Sequence, residues 1–266
     1  MYQSIVTEVD AGVGILTLNK AERHNALDEL MIGEITSGLI ELESDPQVRV
    51  VVISAGGRNF CAGTDPAWMK RSLGNNPQQG QQDEYNLARL LRTLNDLSKP
   101  TLARVQGSAY NAGVGLIAAF DIAIGTYDAL FALSDIKFGL LPAVISPYLL
   151  TAMGERHARR YMLSAERFSA TEAYRIGLLH EIVPAEEQLD EALGEIIDSL
   201  MKGGPADQNG CKALLRVIAG QPIDDATLED TVLHSMRART GTEGKEGLVA
   251  LVEKRKPNWD TGHLSD

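Results

Sequence analysis

Two segments of small residues, Phe60-Cys61-Ala62-Gly63-Thr64-Asp65 and Gln106-Gly107-Ser108-Ala109-Tyr110-Asn111-Ala112-Gly113-Val114-Gly115, each follow an apolar β-branched run. Small side chains leave main-chain N–H groups uncovered, so a ligand can approach the backbone closely. Two such amides converging on one point would hold an oxygen as it becomes negative, which is the chemistry of an oxyanion hole. The run Leu116-Ile117-Ala118-Ala119-Phe120 continues the second segment and puts the amide of Ala112 at a helix N-terminus, where developing anions are favoured. Taken singly, each segment reads first as an ordinary Gly-containing turn.

The elements that must position these segments follow from the hydrophobic pattern. Ile5 to Val9 and Gly14 to Leu18 alternate as two strands around Asp10-Ala11-Gly12, a hairpin signal. From Asn25 to Leu42 apolar residues recur at helical spacing, with Leu27, Leu30, Met31, Ile35, Leu39 and Leu42 on one side. Val48 to Ile53 reads as a strand buried on both faces, residues 82–97 as a helix ending before Lys99-Pro100, and Leu102 to Val105 as the next strand. The stretch from Met69 to Gln82 is polar, with no apolar period, and is expected to be a mobile loop. Its position after the first small-residue segment makes it either a lid or a solvated surface connection. Strand, turn and helix thus recur at irregular spacing, and periodicity alone stops at mixed α/β.

Composition narrows the classes. At 266 residues with 44% apolar content, the chain reads as one compact domain plus a helical extension. No apolar run is long enough to cross a bilayer, and Met1-Tyr2-Gln3-Ser4-Ile5 lacks the basic and apolar pattern of a signal peptide, so the expected location is the cytoplasm. A net charge of −11 argues against a nucleic-acid partner, whose phosphates it would repel. Cys61 and Cys211 are too few for a disulfide framework, and no His or Cys pair has metal-ligand spacing. Cys61 lies beside the first segment, but without a positioned His it reads as a small buried residue rather than a nucleophile.

The ordered motifs are more specific. Leu18-Asn19-Lys20-Ala21-Glu22-Arg23-His24-Asn25-Ala26-Leu27, Phe60 to Asp65, Lys99-Pro100-Thr101, Gly107 to Gly115 with Asp121, Phe131 to Pro142, Thr171 to Leu178 and the segments Glu243 to Gly247 and Glu253 to Pro257 together resemble the crotonase family of enoyl-CoA hydratases and isomerases. The resemblance covers nearly the whole chain. It implies an α/β fold, a spiral of ββα units over residues 1–190 that carries the acyl-CoA site. Residues 191–266 would form a C-terminal helical region that packs subunits into homotrimers or hexamers. It also implies an acyl-CoA thioester as substrate and no separate cofactor, coenzyme A being part of the substrate. Carried over by position, the oxyanion donors are the N–H groups of Thr64 and Ala112. CoA contacts fall on the main chain around Arg23, Ala26, Ala62, Thr64 and Asp65, with cations from Arg23 or from Lys254-Arg255-Lys256, a run that reads equally as a solvated helix face.

Departures from the family pattern bear on mechanism. Family hydratases supply two Glu residues, one to activate water at Cβ and one to handle the proton at Cα. Here the first position is Gly115 and the second is Asp135. Asp135 is expected to be the acid/base group, the alternative being a structural cap, since Ser134-Asp135 precedes an apolar stretch. Asn111-Ala112-Gly113 and Pro142-Ala143-Val144-Ile145-Ser146-Pro147-Tyr148 replace Gly-rich family segments; the Pro142 to Pro147 run, Gly115 and Glu155-Arg156-His157-Ala158-Arg159-Arg160-Tyr161 resemble bacterial hydratases of branched glutaconyl-CoA esters in leucine and terpene breakdown. In that reading Lys70 or Arg71 would recognise a distal substrate carboxylate. Three classes stand: an enoyl-CoA hydratase, a single-carboxylate isomerase or other family hydrolase, lyase or dehalogenase, and a non-catalytic CoA-ester binder.

Overall fold

The computed structural model describes residues 2–260. Nine strands and ten helices follow one another along the described chain. The strands are β1 (Ile5–Asp10), β2 (Val13–Leu18), β3 (Val50–Ala55), β4 (Thr101–Val105), β5 (Ala109–Tyr110), β6 (Ile122–Thr126), β7 (Leu130–Ala132), β8 (Phe168–Ser169) and β9 (Glu181–Val183). The helices are α1 (Glu29–Ser44), α2 (Pro66–Ser72), α3 (Pro77–Asp96), α4 (Ala112–Ala118), α5 (Ser146–Ser164), α6 (Ala170–Arg175), α7 (Leu189–Met201), α8 (Pro205–Ile218), α9 (Asp225–Thr240) and α10 (Thr242–Glu253).

The main sheet has the order β1-β2-β3-β4-β6-β9, and a smaller one the order β5-β7-β8. The hairpin forms as alternation predicts, with Ile5 opposite Leu18 and Asp10 opposite Val13. β3, β4, β6 and β9 add in parallel. Strands of this kind are covered on both faces, which explains why Val50, Val51, Val52 and Ile53 are all buried. The C-terminal ends of β3 and β4 feed the two small-residue segments, the usual place for a ligand beside a parallel sheet. The Gln106 side-chain amide ties those ends together by donating to the carbonyls of Ala55 and Gly57. At the other end of β4, the Asp121 carboxylate accepts from both the N–H and the hydroxyl of Thr101.

Two sequence expectations change. The first long helix starts at Glu29 rather than Asn25, with Asp28 as its cap accepting from the Met31 N–H. Asn25 is a buried latch instead: its carboxamide donates to the carbonyls of Gly56 and Asn59 and accepts from the Lys20 N–H. The shift in phase turns Leu30 outward, 44% exposed, while Ile32 joins Met31, Ile35, Leu39 and Leu42 in the core. Leu27 leaves the helix altogether and bridges Thr64.

The stretch from Met69 to Gln82 is not a loop. It holds the end of α2, a four-residue link and the first turns of α3. Each of these helices starts on a capping signal. Asp65 accepts from the Trp68 N–H with Pro66 next to it, and Asn76 forms a capping box with Gln79 with Pro77 next to it.

By internal contacts the described chain divides into two compact units. One comprises the residues up to Leu97 together with Thr101–Leu193, and the other Ser98–Pro100 together with the chain from Gly194 onward. The first holds both sheets and a continuous core in which Leu27, Ile53, Phe60 and Leu90 are fully buried. Truncating one of these leucines to alanine would cost about 2–5 kcal/mol. The second is helical, with α8, α9 and α10 packed on one another. Among the described residues no helix is long and apolar enough to cross a membrane.

Candidate active site

The two small-residue segments lie against each other. Tyr110 donates its N–H to the Cys61 carbonyl, and Cys61 and Ala109 pair as an isolated parallel bridge. The contact is close enough to require glycine twice. A Cβ at Gly63 would stand 2.7 Å from the Tyr110 carbonyl oxygen, and one at Gly113 would stand 2.5 Å from the Cys61 carbonyl oxygen. Cys61 itself is fully buried, and burial pushes its thiol up to about 12, so it is held as a neutral thiol and not as a nucleophile.

The amide directions follow from the local hydrogen bonds. Leu27 pairs with the Thr64 segment by donating to the Gly63 carbonyl and accepting from the Asp65 N–H. In a parallel bridge of this kind the middle residue turns its own N–H to the other side. Thr64 therefore directs its amide away from Leu27. Ala112 is the first residue of α4, and the N–H groups of a first helical turn have no partner inside the helix. Its predecessor Asn111 adopts φ 48° and ψ −113°, a conformation that is costly for a residue with a side chain. Asn111 is held there by three bonds: its N–H donates to the Ala132 carbonyl, and its Oδ1 accepts from the N–H and the hydroxyl of Ser134. The residue that sets the Ala112 amide is thus fastened to the residue just before Asp135.

Thr64, Ala112 and Asp135 line one cavity of about 820 Å³. One wall is built by α2 and α3 through Trp68, Met69, Lys70, Ser72, Leu73, Gly80, Asp83, Glu84 and Leu87. The Leu140-Leu141-Pro142-Ala143-Val144-Ile145 segment forms a further part of the lining. An apolar enclosure with a few polar groups is the ordinary design of a small-molecule site. Asp135 begins a short 3₁₀ turn, Asp135–Phe138, and partial burial raises its carboxyl above the usual carboxylate range. Asp135 caps no helix with its side chain, and Leu140 binds its main-chain carbonyl.

Gly115 lies beneath this surface, buried in α4. A Cβ there would meet Ile145 Cγ2 at 2.2 Å and Ile145 Cβ at 2.5 Å. The space a side chain would occupy is filled by Ile145. Glu84, which no motif singled out, stands on the α3 wall of the cavity. Its carboxyl is raised by loss of part of its water, then by the charges of Asp135 and Asp83. Asp83 accepts from the Asn75 amide, whereas among the described residues no hydrogen bond or ion pair engages Glu84.

The two cations at the end of α2 separate. Lys70 lines the cavity, while Arg71 pairs with Glu29 at 3.0 Å. Among the main-chain positions expected to meet CoA, Ala26, Ala62 and Asp65 have their N–H groups committed within the chain: Ala26 donates to Arg23, Ala62 to His24 and Asp65 to Leu27. The carbonyls of Arg23 and Asp65 are committed as well, accepting from Ala26 and Met69. The Asp65 side chain caps α2 and pairs with Arg23 at 3.6 Å, and that arginine stays more than half exposed. In the second unit, Arg255 is engaged by Glu246 and Glu253, and Lys256 by Asp260. Among the described residues no cluster of His, Cys, Asp and Glu is suited to a metal ion.

The profile of the Enoyl-CoA hydratase/isomerase family matches residues 8–262. The crystal structure of an enoyl-CoA hydratase from Shewanella pealeana is similar with a TM-score of 0.94 and 40% identity, covering 97% of this chain and 96% of that one. Pseudomonas aeruginosa AtuE is similar with a TM-score of 0.93 and 32% identity, covering 97% and 100%. A Thermus thermophilus relative whose name contains the words enoyl-CoA hydratase is 31% identical over 255 residues, 96% of this chain and 100% of its own length.

Proposed function

The chain belongs to the enoyl-CoA hydratase/isomerase family, and from that premise we propose that it adds water to, or removes it from, an α,β-unsaturated enoyl-CoA thioester with a branched or carboxylated acyl chain. The observation that carries this reading is the convergence of the Thr64 and Ala112 main chain with Asp135 on one apolar-walled cavity. The thioester oxygen accepts from the two amides and is stabilised as negative charge develops on it. Asp135, raised by burial, exchanges a proton with the α-carbon at working pH.

Substrate class rests on Lys70. A distal carboxylate drawn into an apolar cavity needs a partner once water is excluded, and Lys70 is the one cation among the cavity's lining residues. Arg23 remains open for the phosphates of CoA. Leu228, Val232, Met236, Leu251 and Val252, exposed on the helices of the second unit, support association into trimers or hexamers.

The filled space at Gly115 favours a second reading, an isomerase that needs only one carboxylate. Turnover of 3-methylglutaconyl-CoA, an uncarboxylated branched enoyl-CoA and crotonyl-CoA, followed by loss of the conjugated enoyl absorbance, decides between them. Water addition fastest on the carboxylated ester supports the proposal. Double-bond migration without hydration sinks it in favour of the isomerase, and tight binding without turnover favours a CoA-ester binder.

A further inference from the structure

A hydratase has two protons to manage, and the position from which the family supplies its first carboxylate is closed here. Gly115 has no side chain, and Ile145 occupies the volume one would need. The cavity nevertheless carries a carboxylate in addition to Asp135 that the chain leaves unengaged. Asp83 is bonded by Asn75, while Glu84 has no hydrogen-bond or ion-pair partner among the described residues. Glu84 comes from α3 and shares the lining with Thr64, Ala112, Asp135 and Ile145.

The geometry points to Glu84 as the second carboxylate of the site, the group that takes the proton of the water attacking Cβ while Asp135 serves Cα. This role rests on the hydratase reading. Electrostatics couples the two groups. The charge of Asp135 helps to raise Glu84, so the two carboxyls are close enough to sense each other. Asp83 and Lys70 are the other charged groups on the cavity wall, one opposing and one favouring the ionised form.

In the forward direction ionised Glu84 removes a proton from water as the water oxygen bonds to Cβ. The π electrons of the Cα–Cβ bond shift to form an enolate, its oxygen held by the Thr64 and Ala112 amides. Protonated Asp135 then gives its proton to Cα and the enolate collapses to the thioester. Glu84 ends protonated and Asp135 ionised, so net consumption is one water, and proton exchange with solvent or between the two carboxyls restores the starting state.

The test compares wild type, Glu84→Gln and Asp135→Asn in two assays. The first is enoyl-CoA hydration. The second is exchange of the α-hydrogens of a saturated acyl-CoA with D2O, which needs the oxyanion hole and the Cα group but no attacking water. The expected result is that Glu84→Gln loses hydration by about 100-fold or more in kcat, keeps KM within about twofold, and still exchanges, whereas Asp135→Asn loses both. Glu84→Gln that hydrates within about threefold of wild type overturns the role, as does one that loses hydration and exchange together. A wild-type enzyme that exchanges but hydrates no ester overturns the hydratase reading and this role with it. A wild type that hydrates beside an unimpaired Glu84→Gln overturns Glu84 alone.

Discussion

The floor of the cavity and its carboxylate-bearing walls are built on different rules. The floor is main chain: Gly63 and Gly113 let two segments touch, the Leu27 bridge turns the Thr64 amide away from Leu27, and Ser134 locks Asn111 ahead of Ala112. The carboxylate-bearing side is made of side chains on separate elements, Asp135 on a 3₁₀ turn and Glu84 on α3. An amide donor is supplied by any residue whose backbone is held in place, and Ala112 carries the same main-chain N–H as a glycine would. A side-chain group depends on local space, and a change such as Ile145 over Gly115 removes one position outright. Backbone chemistry is thus tied to its location, whereas carboxylate chemistry can be supplied from another wall.

The contrast is sharpest at Asp135. Asp135→Asn is nearly isosteric but cannot exchange a proton, so turnover should fall by up to about 10⁴-fold with acyl-CoA affinity nearly unchanged, as kcat and Kd measured on the same preparation would show. Asp135→Glu, which regains one methylene, should retain activity. An active Asp135→Asn would move the acid/base work elsewhere and end the comparison. On the floor, Thr64→Pro deletes one donor that the fold itself does not use, and kcat should fall about 10²–10³-fold with the far-UV circular dichroism retained. Unchanged kinetics in that folded variant would remove Thr64 from the hole.

The wall cations give a smaller effect. Lys70→Ala should lower kcat/KM about 10–100-fold for a carboxylated enoyl-CoA and little for an uncarboxylated one of equal length. Arg71→Ala, which breaks an exposed pair with Glu29, should change both alike and slightly. Equal loss in Lys70→Ala for both substrates would return selectivity to the apolar walls. At the closed position, Gly115→Ala should destabilise by about 1–3 kcal/mol in urea unfolding, because Ile145 Cβ cannot swing aside as a flexible chain end could. No destabilisation would mean that the Val144–Ser146 backbone yields freely.

The smallest effect is on stability against pH. Glu84 sits above the usual carboxylate range, chiefly through lost water, with Asp135 and Asp83 adding to it. A carboxyl raised on folding contributes its full stability below its unfolded value, and that contribution declines as pH rises through the raised one. Glu84→Gln should therefore have a higher Tm than wild type at about pH 7–8, with the gain vanishing near about pH 3, where both forms are neutral. A gain that persists at acid pH would trace to packing instead.

Much of the floor was legible in the residues themselves. Small residues after β-branched runs marked the two segments that meet at Cys61 and Tyr110, and the two strands around Ala11-Gly12 paired in the register that alternation implies. The α2–α3 wall was not read, although Asp65-Pro66 and Asn76-Pro77 are capping residues followed by proline at the first helical position. The first turns of α3 carry Gln, Gly and Asp with nothing apolar to bury, so periodicity had no signal there. Glu84 escaped for a related reason. The buried stripe of Leu94, Leu91, Leu90 and the partly buried Leu87 runs back by steps of three and four onto Glu84, so a carboxylate stands where an apolar residue is due. That irregularity was visible, but only the cavity gives it meaning. Leu30 and Ile32 exchanged roles because the phase of a helix depends on where its cap falls, and Asn25 served as a latch instead of a start.

Ile145 over Gly115 also constrains how this site could change by single substitutions. A larger residue at 115 collides with Ile145, and a smaller residue at 145 opens a hole beneath the cavity wall, so each step alone is penalised and only the pair is accommodated. The two positions are therefore epistatic. A descendant would reach a carboxylate at 115 only through a less stable intermediate, which makes the present arrangement a ratchet that holds the chain away from the two-glutamate form.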